Sequence, residues 1–161
     1  MTFRVGDRIA HPMHGAGVID KIIKKRINGE ERDYYVLKLP AGDMLVMIPV
    51  DGCEQIGVRH IIDSKAAETI MDSISDIEIS MNQNWHKRYR ENMLKIKSGD
   101  LMEVAEVVKG LIISDDEKGL SMQDRKILNA AKQILISEIV LSSSFSYDEV
   151  EQRIHKSVNL S

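Results

Sequence analysis

Near residue 60 the chain changes the rule by which its apolar residues are spaced, and that change limits it to a fold with two differently built parts. Before it, turn residues interrupt the sequence every few positions. Phe3-Arg4-Val5-Gly6-Asp7-Arg8-Ile9-Ala10 contains a Gly-Asp turn, and His11-Pro12-Met13-His14-Gly15 is a second break. Gly17 to Ile23 reads as a strand, and Asn28-Gly29 as a hairpin turn, because both residues tolerate the positive φ of a type I′ turn. Glu31 to Leu39 is β-rich through Tyr34-Tyr35-Val36-Leu37-Lys38-Leu39. Pro40-Ala41-Gly42-Asp43 turns the chain again, and Met44 to Val50 supplies a last strand.

After residue 60 the spacing is helical. Asp63 or Ser64 caps a helix through Ala67, Ile70, Met71 and Ile74, and Ser80 to Gln83 is a polar break before a helix that starts near Trp85. Ser98-Gly99 ends that helix, and Asp100 with Glu103 starts another, whose Val104, Val107, Val108, Leu111 and Ile112 point inward. Gly110 inside it lowers helix propensity with no reason visible in the sequence. Asp115 to Gly119 reads as a charged loop. Ser121 then caps a long central helix with Leu128, Ala131, Leu135 and Ile139 on one face, and Ser142-Ser143-Ser144 interrupts it. Ser146 and Glu149 form a capping box for a last helix with Tyr147, Val150, Ile154 and Val158 inward.

The expected fold class is therefore α+β in two domains: a small, highly curved SH3/Tudor-like β-barrel over residues 1–55 and an all-α bundle of about five helices over residues 60–161. A length of 161 residues suits two small domains, and no apolar run approaches the ~18 residues of a membrane span. No secretory signal is read at its start, and Cys53 is the only cysteine, so a disulfide framework is excluded and a cytoplasmic location is expected. Residues 1–60 carry nine Lys/Arg against eight Asp/Glu, and residues 61–161 thirteen against seventeen. Neither part is basic enough to coat nucleic acid indiscriminately, so any nucleic-acid contact has to come from a local patch helped by a second partner.

Such a patch exists in Asn84-Trp85-His86-Lys87-Arg88-Tyr89-Arg90, which holds the single tryptophan. From Lys87 to Lys97 there are five basic residues (Lys87, Arg88, Arg90, Lys95, Lys97) against one acid, Glu91. At 100° per residue, Trp85, Tyr89, Met93 and Ile96 form one stripe, with Arg88 and Lys95 on one flank and Arg90 and Lys97 on the other. Tyr89, Met93 and Ile96 are expected to seat the helix, while Trp85, in the first turn, is free to project. Cations attract phosphates, and a flat apolar ring can press between bases. The opposing reading makes Trp85 the top of the core stripe and the charges a solvated face.

Signals of catalysis are missing. His11 and His14 share an H-x-x-H spacing across Pro12 but lack further ligands, and Gly15-Ala16-Gly17 lacks a phosphate loop's lysine and strand-to-helix setting. Asp115, Asp116 and Glu117 lack the spaced oxygens of a calcium loop and read as a solvated linker or a helix N-terminus. No nucleophile and base pair up, so a non-enzymatic protein without metal or cofactor is expected, with no membrane and no small-molecule substrate.

The order of elements resembles the bacterial CarD family of RNA polymerase-binding transcription regulators, also called CdnL-like, whose amino-terminal module is shared with the transcription-repair coupling factor. The matching stretches are Phe3-x-Val5-Gly6-Asp7, His14-Gly15-Ala16, Tyr35-Val36-Leu37-Lys38, Gly57-Val58-Arg59, Asn84-Trp85 with Arg88-Tyr89, Ser98-Gly99-Asp100, Val104-Ala105-Glu106-Val107-Val108, Gly119-Leu120-Ser121 and Ala131-Lys132-Gln133-Ile134-Leu135. The resemblance implies a Tudor-like module that docks on the polymerase β subunit and a helical domain that touches promoter DNA at the upstream edge of the melted region. It implies that Trp85 enters the minor groove at the bubble's edge and hinders its closure, and that Lys87, Arg88, Arg90 and Arg125 contact phosphates. The polymerase contacts it implies fall on Lys25, which keeps the family's basic character, and on Met47, which does not. A pure protein-interaction adaptor is the alternative; a DNA reader should expose Trp85 within a basic patch, whereas an adaptor should bury it or surround it with apolar residues.

Overall fold

A computed structural model describes residues 2–40, 42 and 44–159. The first part is a five-stranded antiparallel sheet: β1 (Arg8–His11), β2 (Gly15–Ile27), β3 (Glu30–Lys38), β4 (Leu45–Pro49) and β5 (Arg59–His60), in the order β4-β3-β2-β1-β5. It is open and Tudor-like, with β4 and β5 as its edges. Asn28 (φ 53°) and Gly29 (φ 81°) take the positive φ values that the hairpin turn requires. The expected turn at Pro40-Ala41-Gly42-Asp43 includes Ala41 and Asp43, which lie outside the described residues. One sheet face covers a core of Phe3, Ile9, Ile19, Tyr35, Leu37, Ile48 and Val58.

β2 runs longer than the Gly17 to Ile23 expected. Its distal half pairs with β3 as far as Ile27 opposite Glu30, and most of that ribbon is exposed. The sequence hides this extension because Lys24, Lys25 and Arg26 give no inward and outward alternation.

The second part contains α1 (Ser64–Ser73) with a 3-10 turn at Ile74–Asp76, α2 (Trp85–Lys97), α3 (Leu101–Lys118), α4 (Met122–Ser142) and α5 (Tyr147–Asn159). Four helix starts are capped by the side chains of Asp63, Asn84, Asp100 and Ser121. At α5 the Ser146 hydroxyl accepts from Glu149 N at 3.2 Å, and Ser146 N donates back to the Glu149 carboxylate at 3.2 Å. The expected charged loop at Asp115 to Gly119 is corrected: Asp115–Lys118 form the last turn of α3, and Gly119, at φ 77°, closes it by donating its N–H to Asp115 O. The acids thus stand at a helix C-terminus and not at an N-terminus. Exposed charged residues suit a helix end as well as a loop, so composition alone could not separate the two.

Gly110 acquires a reason. A Cβ there would lie 2.3 Å from Met81 Cε and 3.3 Å from Ile79 Cγ2, so the bare backbone lets the segment leading into α2 lie against α3. Next to it, the buried Lys109 ammonium donates to Ile74 O (2.8 Å), Ser75 O (3.1 Å) and Ile77 O (2.7 Å), gathering carbonyls where the first helix and its 3-10 turn end.

α4 is buried on two sides, by the helical core and by the β module. Ser137 Oγ accepts from Ala16 N at 2.8 Å, and Gly15, at the same turn, is so close that a Cβ would lie 2.6 Å from that hydroxyl. Glu138, only 1% exposed, accepts from Ile62 N at 2.9 Å and pairs with Arg59. Gln133 donates to His14 O and Arg8 to Leu141 O, so the two parts meet along one side of α4.

Candidate nucleic-acid interface

Asn84 fixes where α2 begins: its side chain accepts from Lys87 N at 3.1 Å, which makes Trp85 the first helical residue. There the indole has helix on one side only, and it is 41% exposed. It stacks on Tyr89 with ring centres 6.0 Å apart and planes 21° apart, and meets His86 edge-on at 4.6 Å. Behind it, Tyr89 and Met93 are half-buried against the helical core and Ile96 is buried, as the stripe requires. Trp85 is held by its own helix and projects from the bundle.

The two basic flanks of α2 differ in a way the sequence does not reveal. On one flank Arg88 is half-buried, pairs with Asp124 at 3.2 Å and donates to Asn82 O at 3.4 Å, while Lys95 pairs with Glu106 at 2.9 Å. These contacts tie α2 to α4 and α3. On the other flank Lys87, Arg90 and Lys97 are exposed, and among the described residues no carboxylate stands within ion-pair distance of them. Arg125, in the first turn of α4, is exposed and shares Asp115 at 3.4 Å. Of the five residues expected at DNA, then, Trp85, Lys87 and Arg90 are exposed on α2 with no ion-pair partner among the described residues, whereas Arg88 is already paired with Asp124 and Arg125 with Asp115. Beneath Arg88, two buried side-chain atoms lack a hydrogen bond, one a donor and one an acceptor: Asn92 Nδ2 and Asp124 Oδ1.

The other expected contacts lie on the β module. Cross-strand partners share a face, and Met47 is opposite Val36, which is opposite Lys21; four residues along β2 on that same face, Lys25 is opposite Arg32. Met47 (38% exposed) stands with exposed Leu45 on β4, whose outer edge has no strand partner among the described residues. The surface is apolar at β4 and basic toward the hairpin ribbon, where Lys21, Lys25 and Arg32 are all exposed.

The His11 and His14 rings lie 4.4 Å apart in the turn that presses on α4, and Met13 N donates to His11 Nδ1 at 3.0 Å. Burial, with the neighbouring His14 adding to it, lowers the His11 pKa to about 4. Among the described residues no three His, Cys, Asp or Glu gather as a metal set, and no helix is long and apolar enough to cross a membrane.

Residues 3–62 match the CarD-like/TRCF RID domain, and residues 69–155 match the CarD C-terminal domain. Over 149 residues the chain is 35% identical to a protein of Bacillus subtilis (strain 168) named "Putative transcription factor YdeB", an alignment covering 92% of this chain and 97% of that protein.

Proposed function

The chain belongs to the CarD family of transcription factors, and from that premise we propose that it docks on the RNA polymerase β subunit through its β module and stabilises the open promoter complex through Trp85. Family membership supports a regulator associated with RNA polymerase. The observation that carries the finer reading is the exposed Trp85 ring in the first turn of α2, a helix that also carries the exposed cations Lys87 and Arg90, which have no ion-pair partner among the described residues. A ring placed there can enter an unstacked base step from the minor groove while cations one turn away hold phosphates. Arg88 and Arg125 would add to this through N–H groups their carboxylates leave free.

A net charge of −3 predicts weak binding to free DNA. Tethering by polymerase overcomes this through effective concentration at one site, without higher intrinsic affinity. The open state gains only what it binds better than the closed state, and a widened, unstacked step is a feature that melting creates. Lys25 and the apolar surface at Met47 are the proposed docking contacts. The deciding experiment measures the lifetime of open complexes formed by purified bacterial RNA polymerase with and without the protein, alongside a pull-down of polymerase. Longer lifetimes with direct binding support the reading. Binding to polymerase with unchanged lifetimes would make the protein an adaptor.

A further inference from the structure

Lys109 is the one buried cation among the described residues, 2% exposed in the middle of α3, and none of their carboxylates lies within ion-pair distance of it. The buried acids differ, since Glu138 is paired with Arg59 and Asp124 with Arg88. A buried charge costs stability unless polar partners replace its water. Lys109 directs its ammonium N–H groups to Ile74 O, Ser75 O and Ile77 O, carbonyls of one short stretch at the negative end of α1 and its 3-10 turn. The lysine is therefore committed to a single place in the chain.

That place is where residues 77–83 leave for α2. The stretch forms no helix or strand, and among the described residues no backbone–backbone hydrogen bond involves residues 78–83. Besides Arg88 on Asn82 O, it is α3 that holds it. Ile77 and Met81 pack on the helical core, and Met81 and Ile79 occupy the space that a side chain at Gly110 would fill. Lys109 and Gly110 are adjacent, so one turn of α3 grips the stretch at its start and again near its end. From Met81 to Trp85 is four residues, at most ~14 Å of extended chain, so this anchor limits where α2 can begin. The first turn of α2 has no buried residue of its own, because α2 buries only Asn92 and Ile96, both in its second half.

We propose that Lys109 is a positioning residue: with Gly110 it holds residues 77–83 as a strap on α3, and so keeps the first turn of α2 formed and the Trp85 ring in place. The consequence for the promoter complex rests on the reading of Trp85 as a wedge. Trp85 stacks on Tyr89 one turn further on, an arrangement that exists only while that turn is helical. Releasing the strap lets the turn fray at its Asn84 cap, which unstacks the indole and exposes it.

Trp85 is the only tryptophan, so its fluorescence reports this directly in the full chain. Lys109→Met keeps a long side chain without the donors, and is expected to raise acrylamide quenching of Trp85 about 1.5- to 2-fold. Full exposure in place of 41% sets a ceiling of about 2.4-fold. Met81→Ala removes the strap's half of the contact at a half-buried site, which spares the bundle, and is expected to raise quenching less. Lys109→Arg keeps N–H donors and should return quenching toward wild type. Ile139→Val, buried in α4, is the control: it should lower the melting temperature and leave quenching unchanged. In open complexes with purified bacterial RNA polymerase, Lys109→Met is expected to shorten the lifetime about two- to fivefold, as the fraction of chains with a formed first turn falls, with polymerase binding unchanged. Wild-type quenching in both Lys109→Met and Met81→Ala would overturn the proposal. So would raised quenching in variants whose open complexes last as long as wild type while those of Trp85→Ala do not. If Lys109→Met unfolds, Met81→Ala decides by the same two readings. If Trp85→Ala itself leaves the lifetime unchanged, the wedge reading fails and the quenching series alone decides the strap.

Discussion

Arg59 and Glu138, 79 residues apart in sequence, meet in a two-pronged pair at 2.7 and 3.0 Å that joins the last strand of the β module to the last turns of α4. Glu138 is buried and also accepts from Ile62 N, whereas Arg59 keeps contact with solvent. Removing the arginine leaves a buried carboxylate with one backbone donor. Arg59→Ala is expected to cost about 3 kcal/mol, the low end for breaking a buried pair because the Arg59 side is partly solvated. In thermal denaturation the double variant Arg59→Met with Glu138→Leu should lose less than the sum of the two single changes. It should not recover fully, because Ile62 N and Gly99 O also lose a partner.

The half-buried His11 predicts acid sensitivity at the same junction. Its pKa is lowered from 6.5 to about 4, first by burial and then by His14, so the folded state keeps it neutral while the unfolded chain takes up a proton. Above pH 6.5 both states are neutral and the group makes no difference. As pH falls from 6.5 toward 4 the unfolded state binds more protons, so stability falls through that window and levels off below it. His11→Gln should flatten the decline of melting temperature with acidity across this range. An equally steep decline in the variant would place the acid sensitivity elsewhere.

The helix starts and the hairpin were legible in the sequence because they are local: Asp63, Asn84, Asp100, Ser121 and Ser146 each meet a backbone N–H two or three residues on, and Asn28-Gly29 sets its own φ values. The site was legible only in part. Helical spacing put Arg88 with Lys95 and Arg90 with Lys97 on opposite flanks, but nothing within α2 distinguishes the flanks. The residues that neutralise one of them, Asp124 and Glu106, come from other helices. The exposure of Trp85 and the need for glycine at 110 depend likewise on neighbours brought by tertiary folding, the latter on Met81.

Docking is expected to depend on the outer face of the sheet. Lys25→Glu reverses one exposed charge beside Arg32 and should weaken binding to polymerase about three- to tenfold, with most of the change in the association rate and less at high salt. Met47→Asp places a charge on the apolar part of the same face and should weaken binding mainly by faster dissociation. Surface-immobilised polymerase would separate these two rates. If Met47→Asp binds normally, β4 does not face the partner.

Trp85 separates a wedge from a core residue most sharply. A fully buried tryptophan replaced by alanine would cost about 3 to 5 kcal/mol, enough to unfold a small helical domain. The ring is 41% exposed and its ring–ring contacts are to His86 and Tyr89 of its own helix, so it is expected to contribute little to the bundle. Trp85→Ala is therefore expected to keep its melting temperature within a few degrees of wild type, to bind polymerase normally, and to shorten the open-complex lifetime. Loss of a stacking contact worth ~1 to 3 kcal/mol in the open state alone lowers the preference for that state by about five- to over a hundredfold. Trp85→Phe should keep part of the effect, since a smaller ring still stacks but fills less of an unstacked step. Calorimetry and a lifetime assay on the same preparations decide the matter: unfolding of the alanine variant, or wild-type lifetimes from a well-folded one, would each remove Trp85 from the mechanism.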